Sequence, residues 1–262
     1  MDLVQGFLHH GVLIGSAAVA GAINAVAGGG TLISFPAAMA WGLSSVAANV
    51  TNAVALTPGS LASAWGYRRE LQADRRLVLL LAPPAAVGAL AGAAILHHTS
   101  QRLFDALIPW LVLAATLIIL LQGVILRNAP RPAPGAPTSR QRLAVVVFCQ
   151  LLVGIYGGYF GAAMGIIMLA FLSLIASTDI HGMNGIKNLL AAIVNGVASI
   201  YFMVSGLVDG RAALLMTGGA VFGGLVGAKL ARRAPAKVIR GLVIAIGFSL
   251  SAMLAYRAFT KH

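Results

Sequence analysis

GAINAVAGGGTLISF (residues 21–35) and GIYGGYFGAAMGIIM (154–168) are the two stretches that decide how this chain folds. Laid over one another at an offset of 133, Gly21 meets Gly154, Gly28 meets Gly161 and Ile33 meets Ile166. Each sits in an apolar block too long for one crossing of a bilayer. The first block runs from 3 to 41, and a straight helix of that length would reach about 58 Å against a hydrocarbon core of about 30 Å. The glycines interrupt both blocks, so each is expected to break and turn back, as a discontinuous helix or a re-entrant hairpin. Non-helical backbone at membrane depth survives only where protein buries it or a cavity solvates it.

Outward from these stretches the repetition continues. At an offset of 136, Asn52 falls on Asn188, Ser63 on Ser199, Arg75 on Arg211 and Gly88 on Gly224. Further apolar blocks follow at about 45–66, 77–96 and 103–126 in the first half. The second half has blocks at about 143–176, 182–206, 211–231 and 238–258. Between them lies RNAPRPAPGAPTSRQR (127–142), whose prolines and arginines read as an irregular, solvated, cytoplasmic linker. The organisation is therefore a first transmembrane repeat (1–126), this linker, and a second repeat (143–262). The fold class is an all-α integral membrane protein of 8–10 membrane segments. With 59% hydrophobic residues, 9% charged and a mean hydropathy of +0.91, a water-soluble globular domain is excluded. Two weakly similar halves in so apolar a chain point to a transporter with its site where the halves meet.

The charges decide how the halves relate. Of 18 lysines and arginines, 17 lie in loops, helix ends or the tail, which is a topology signal and not a nucleic-acid surface. Loop 67–76 holds four, while its counterpart 207–211 holds only Arg211. Loop 97–102 holds only Arg102, while its counterpart holds Lys229, Arg232, Arg233, Lys237 and Arg240. The bias swaps between halves, as it must if the repeats are inverted and positive loops stay inside. Inversion needs an odd number of crossings in each half, and the broken first block is expected to supply the extra one.

The eighteenth basic residue is Lys187, inside HGMNGIKNLLAAIVNGVAS (181–199). A charge at the bilayer centre costs roughly 2.5–3.5 kcal/mol on insertion scales, and such residues face a cavity or a partner. No acid lies in the segment's interior; Asp179 is eight residues earlier, so a mobile anion is a natural counter-ion. Asn184 and Asn188 flank the lysine. In the first half, NVTNAVALTPGSLAS (49–63) offers Asn49, Thr51 and Asn52, with Thr51 at the position of Lys187. A helix restarting after Gly28, Gly29 and Gly30, at Thr31, or after Gly161, would aim backbone N–H groups and a positive dipole end at an anion. None of the six acids sits deep in an apolar block, which leaves no midplane carboxylate to carry protons or hold a metal cation. The single Cys149 excludes an internal disulfide framework. Neither GxSG nor HExxH occurs, so no hydrolase signature and no cofactor site stand out. The partners are a small anion and the lipid bilayer. A homo-oligomer is left open.

AGAINAVAGGGTLISFPAAMAWGL with AANVTNAVALTPGSLASAWGYRREL resembles the first repeat of the TauE/SafE family of sulfite exporters. GGYFGAAMGIIMLAFLSL with MNGIKNLLAAIVNGVAS resembles the second. The resemblance covers nearly the whole chain. It implies a multi-pass protein of the bacterial cytoplasmic (inner) membrane that moves sulfite, sulfoacetate or related sulfonates outward. It further implies an anion path around Asn24, Gly28–Thr31, Asn49–Asn52 and Asn184–Asn188. Alternating exposure would come from one repeat moving against the other. A passive anion channel and a carrier for a small carboxylate remain the alternatives.

Overall fold

Both long blocks break where their glycines cluster. In the computed structural model, which describes residues 3–26, 28–71, 75–128, 139–175, 180–230 and 236–260, helix α1 (Leu3–Val26) stops just before Gly28. Gly28 and Gly29 take left-handed backbone (φ +86° and +104°), and α2 (Thr31–Ala40) begins after them. In the second half α7 (Arg140–Tyr159) stops before Gly161 (φ +74°), and α8 (Met164–Leu172) starts after Ala163. Ala163 is itself left-handed, at φ 61°, which an L-residue adopts at a cost of roughly 1–2 kcal/mol.

The chain then turns back on itself. Gly30 lies directly against Ala20 of α1, and Trp41, just past α2, packs edge-on to His10 with ring centroids 4.9 Å apart. The hairpin thus closes at the end where it began. The rest of the first half is α3 (Ser45–Gly66), the single turn α4 (Arg68–Leu71), α5 (Arg75–His98) and α6 (Gln101–Asn128). The second half continues with α9 (Ile180–Val204), α10 (Gly210–Leu230) and α11 (Ala236–Thr260). Serines set two of the starts: Ser44 accepts from the Ala47 amide (3.3 Å) ahead of α3, and Ser139 from that of Arg142 (3.2 Å) ahead of α7.

Every regular element among the described residues is helical. Five helices have both the length and the apolarity to cross a membrane: Arg75–His98, Gln101–Arg127, Arg140–Tyr159, Ile180–Val204 and Gly210–Leu230. Helices α1, α3 and α11 match them in length, with 24, 22 and 25 residues. Large apolar side chains such as Leu79, Val204, Leu214 and Phe222 stand exposed around the bundle, where lipid takes the place of water. Helix claims the first two and last three residues of the expected linker; 129–138 lie outside the described residues, as does Asp179.

Packing pairs the halves by exchange. Helix α1 lies on α10 as α7 lies on α5, α2 meets α11 as α8 meets α6, and α3 meets α10 as α9 meets α5. Helices α3 and α9 face each other, and so do α6 and α11. Small residues make the seams. Gly219, Gly223 and Gly227 of α10 lie on the backbone of Ile14, Ala18 and Ala22 of α1, and Gly88 and Gly92 of α5 on that of Leu151 and Ile155 of α7. Backbones this close leave no room for a methyl, the small-residue solution to helix packing in lipid.

The helix ends sort into two groups. One end of the bundle joins the starts of α1, α3, α6 and α10: Arg211 bonds His10 (2.9 Å), and Ser45, Gln101 and Asp105 form a hydrogen-bonded cluster. The other joins the ends of α3 and α10 to the start of α9, one side chain's reach from the end of α1. There the Tyr67 hydroxyl donates to the Ala25 carbonyl (3.4 Å), Tyr67 stacks on His181, and Gly66 meets Ala228.

Candidate functional site at the two helix breaks

A helix that stops inside a membrane leaves its last carbonyls without partners, and lipid offers none. Here α3 and α9 supply them. The Lys187 ammonium donates to the Asn24 carbonyl at 2.8 Å and the Asn188 amide to the Ala25 carbonyl at 3.2 Å, both at the end of α1. At the end of α7 the Asn49 amide donates to the Tyr159 carbonyl at 2.9 Å. Within the breaks, the Gly30 amide donates to Asn24 Oδ1 (2.8 Å), and the Tyr156 hydroxyl to the Ala162 carbonyl (2.6 Å). Each partner reaches across from another helix or closes its own loop, so these groups are satisfied without lipid.

The two breaks meet. Gly28 lies against Gly165, near enough that a methyl on Gly28 would stand 3.2 Å from the Gly165 Cα. Around this crossing is a cavity of about 30 Å³. The first break lends it Asn24, Gly28, Gly29 and Thr31; the second lends Gly157, Gly158, Phe160, Gly161, Met164 and Gly165. Helix α3 contributes Asn49, Asn52, Ala53, Leu56 and Ser60, and α9 contributes Lys187, Asn188, Ala191, Asn195 and Phe202. Lys187 is 1% exposed, and among the described residues no aspartate or glutamate lines the space with it. A buried charge without a counter-ion is expensive, so this lysine carries the electrostatics of the site. A water needs about 10–15 Å³, which gives the cavity room for two or three.

Nine of the twelve residues singled out in the sequence line this cavity: Asn24, Gly28, Gly29, Thr31, Asn49, Asn52, Gly161, Lys187 and Asn188. Three stand elsewhere. Thr51 turns its hydroxyl away and accepts from the Asp209 amide (3.0 Å) ahead of α10. Gly30 packs on Ala20. Asn184 is buried off the cavity, its Oδ1 without a partner among the described residues. Ser60 and Asn195 join the lining without having been singled out. Their signal was present, since Asn52, Leu56 and Ser60, like Asn188, Ala191 and Asn195, recur at the spacing of one helix face. Phe160 and Met164 carried no such signal.

Apolar helices facing lipid, broken at mid-bundle around a polar cavity, define a multi-pass membrane transporter. The chain belongs to the sulfite exporter TauE/SafE family, which matches residues 13–254. A probable membrane transporter protein of Haemophilus influenzae is 27% identical over 248 residues, 91% of this chain and 91% of its own. The probable membrane transporter protein YfcA of Escherichia coli K12 is 29% identical over 257 residues, 94% of this chain and 89% of its own. Probable membrane transporter protein ORF9 of a Sinorhizobium species is 29% identical over 243 residues, 91% and 89%. No solved structure matches the chain. It is thus a multi-pass transport protein of the inner membrane, in a family of transporters and not of enzymes.

Proposed function

We propose that this protein exports small sulfur-containing anions, such as sulfite, sulfoacetate or similar sulfonates, by alternating access. The observation that carries the reading is Lys187, a buried cation with no acid beside it among the described residues, in the cavity where the two breaks meet. An anion there meets the ammonium, the amides of Asn52, Asn188 and Asn195, and the start of α2 at Thr31. The choice of sulfur anions rests on the family that matches the chain. A cavity with room for two or three waters fits a closed state, which must widen toward one membrane face and then the other.

The reading includes two inverted repeats. The loops after α3 and after α10 leave from the same end of the bundle, and each is far richer in arginine and lysine than its repeat counterpart. The first hairpin returns to the end it starts from and so adds no net crossing, contrary to the expectation from the sequence. Three long spans (α3, α5 and α6) give its half the odd number that inversion requires, and the repeat carries that count to α9, α10 and α11.

Counterflow of labelled sulfite and sulfoacetate in proteoliposomes, wild type against Lys187→Met, tests the proposal. Methionine keeps the volume, removes a costly buried charge and loses one hydrogen bond, so stability should change by less than about 1 kcal/mol. Exchange should fall at least about 30-fold, the cost of truncating one partner of a buried charge pair. Exchange unchanged in a folded Lys187→Met protein would remove the lysine from the anion site. Flux without trans-stimulation would make the protein a channel.

A further inference from the structure

We propose that the cavity balances one negative charge, so that it prefers small oxyanions as monoanions: hydrogen sulfite before sulfite, and singly charged sulfonates before doubly charged ones, ionised sulfoacetate among the latter. This rests on the reading of the cavity as the anion site.

The charge count comes from what lines the space. Lys187 is its one ionisable side chain among the described residues. Helix ends add no second positive charge. Each break brings one C-terminus and one N-terminus to the same place, α1 with α2 and α7 with α8. Such ends carry roughly half a charge of opposite sign, and each pair cancels to first order. A monoanion beside Lys187 makes the site neutral. A dianion leaves a net negative charge in a buried space that holds a few waters at most, where uncompensated charge is heavily penalised.

The neutral lining agrees. Five asparagines, Asn24, Asn49, Asn52, Asn188 and Asn195, supply its amides. An amide offers an acceptor beside its donors, whereas a fully ionised oxyanion uses donors alone. Asn49 and Asn188 already spend donors on the ends of α7 and α1. Asn52, 2% exposed, holds an Oδ1 that receives no hydrogen bond among the described residues. A protonated oxyanion brings an O–H that such acceptors can take; a dianion brings none.

The test is counterflow by the full-length protein in proteoliposomes, with equal pH on both sides, at a series of pH values. Labelled sulfite changes from monoanion to dianion across the series, while labelled methanesulfonate keeps a single charge. At limiting total sulfite, exchange should fall about tenfold for each pH unit above the second ionisation of sulfurous acid, with methanesulfonate exchange flat. An Asn195→Lys variant, with a second cation in the lining, should hold its sulfite exchange to higher pH. Sulfite exchange that is level or rising as the dianion takes over would overturn the inference. So would a parallel fall for methanesulfonate, which places the pH effect in the protein, or refusal of methanesulfonate by a protein that exchanges sulfite. In all three cases the exporter reading stands. Exchange of neither anion at any pH sinks that reading and this inference together.

Discussion

The two helix breaks solve one problem with different chemistry. Both open at left-handed glycines, Gly28 and Gly29 in the first, Gly161 in the second, and both leave carbonyls stranded at depth. The second break is closed by neutral groups, Asn49 from α3 and the hydroxyl of Tyr156. The first is closed by Asn188, Tyr67 and a lysine. Neutral partners are therefore sufficient for the backbone, and the charge of Lys187 exceeds what the break demands. At the repeat-related position Thr51 serves the chain ahead of α10 and leaves the cavity alone. The asymmetry between halves is concentrated in one side chain, which is the physical ground for assigning that side chain to a ligand.

The sharpest way to break this comparison is to remove the neutral closures. Asn49→Ala strands the Tyr159 carbonyl and should cost about 1–3 kcal/mol, the penalty of an unsatisfied buried acceptor. Asn188→Ala should cost about 1 kcal/mol or less, because the Ala25 carbonyl keeps the Tyr67 hydroxyl. Thermal unfolding of the purified protein in detergent ranks the pair, and the reverse order would mean that the Ala25 carbonyl depends on its amide more than on the Tyr67 hydroxyl. A smaller effect separates the glycines. Gly28→Ala and Gly161→Ala should each lose about 1–2 kcal/mol to left-handed strain. Only the first pushes the two breaks apart, against Gly165, so it should also slow exchange by more than Gly161→Ala. Smallest is Ala163→Gly, which relieves strain that the first break does not carry. It should raise stability by up to about 1 kcal/mol, read as a higher unfolding midpoint; a lower midpoint would show that the alanine methyl matters more than its backbone.

Much of this was legible in the sequence because composition and spacing act locally. Glycine clusters in blocks too long for one crossing marked the breaks, and Lys187 marked itself as the lone cation away from any loop. The direction of the return was not legible. It depends on Trp41 reaching His10, a contact between residues 31 apart that no local rule specifies. Side-chain direction was lost for the same reason. Thr51 and Asn52 are adjacent, yet the helix turns one toward Asp209 and the other into the cavity. The offset of 136 pairs Thr51 with Lys187 correctly as sequence and says nothing of where either side chain goes. The linker's solvated character and the role of Asp179 fall outside the described residues.

The glycine seams bear on which parts of the molecule can travel together. Helix α1 touches α10 backbone to backbone, and α7 touches α5 in the same way, so each half has its first helix fastened to the third long element of the other. Surfaces without side chains to repack do not slide past one another in small steps; they hold or they part. Neither half is then a free body, despite the order in which the chain is written. On the alternating-access reading proposed above, the dividing line is expected to leave both seams whole, so that the parts that move are mixed pairs with one member from each half.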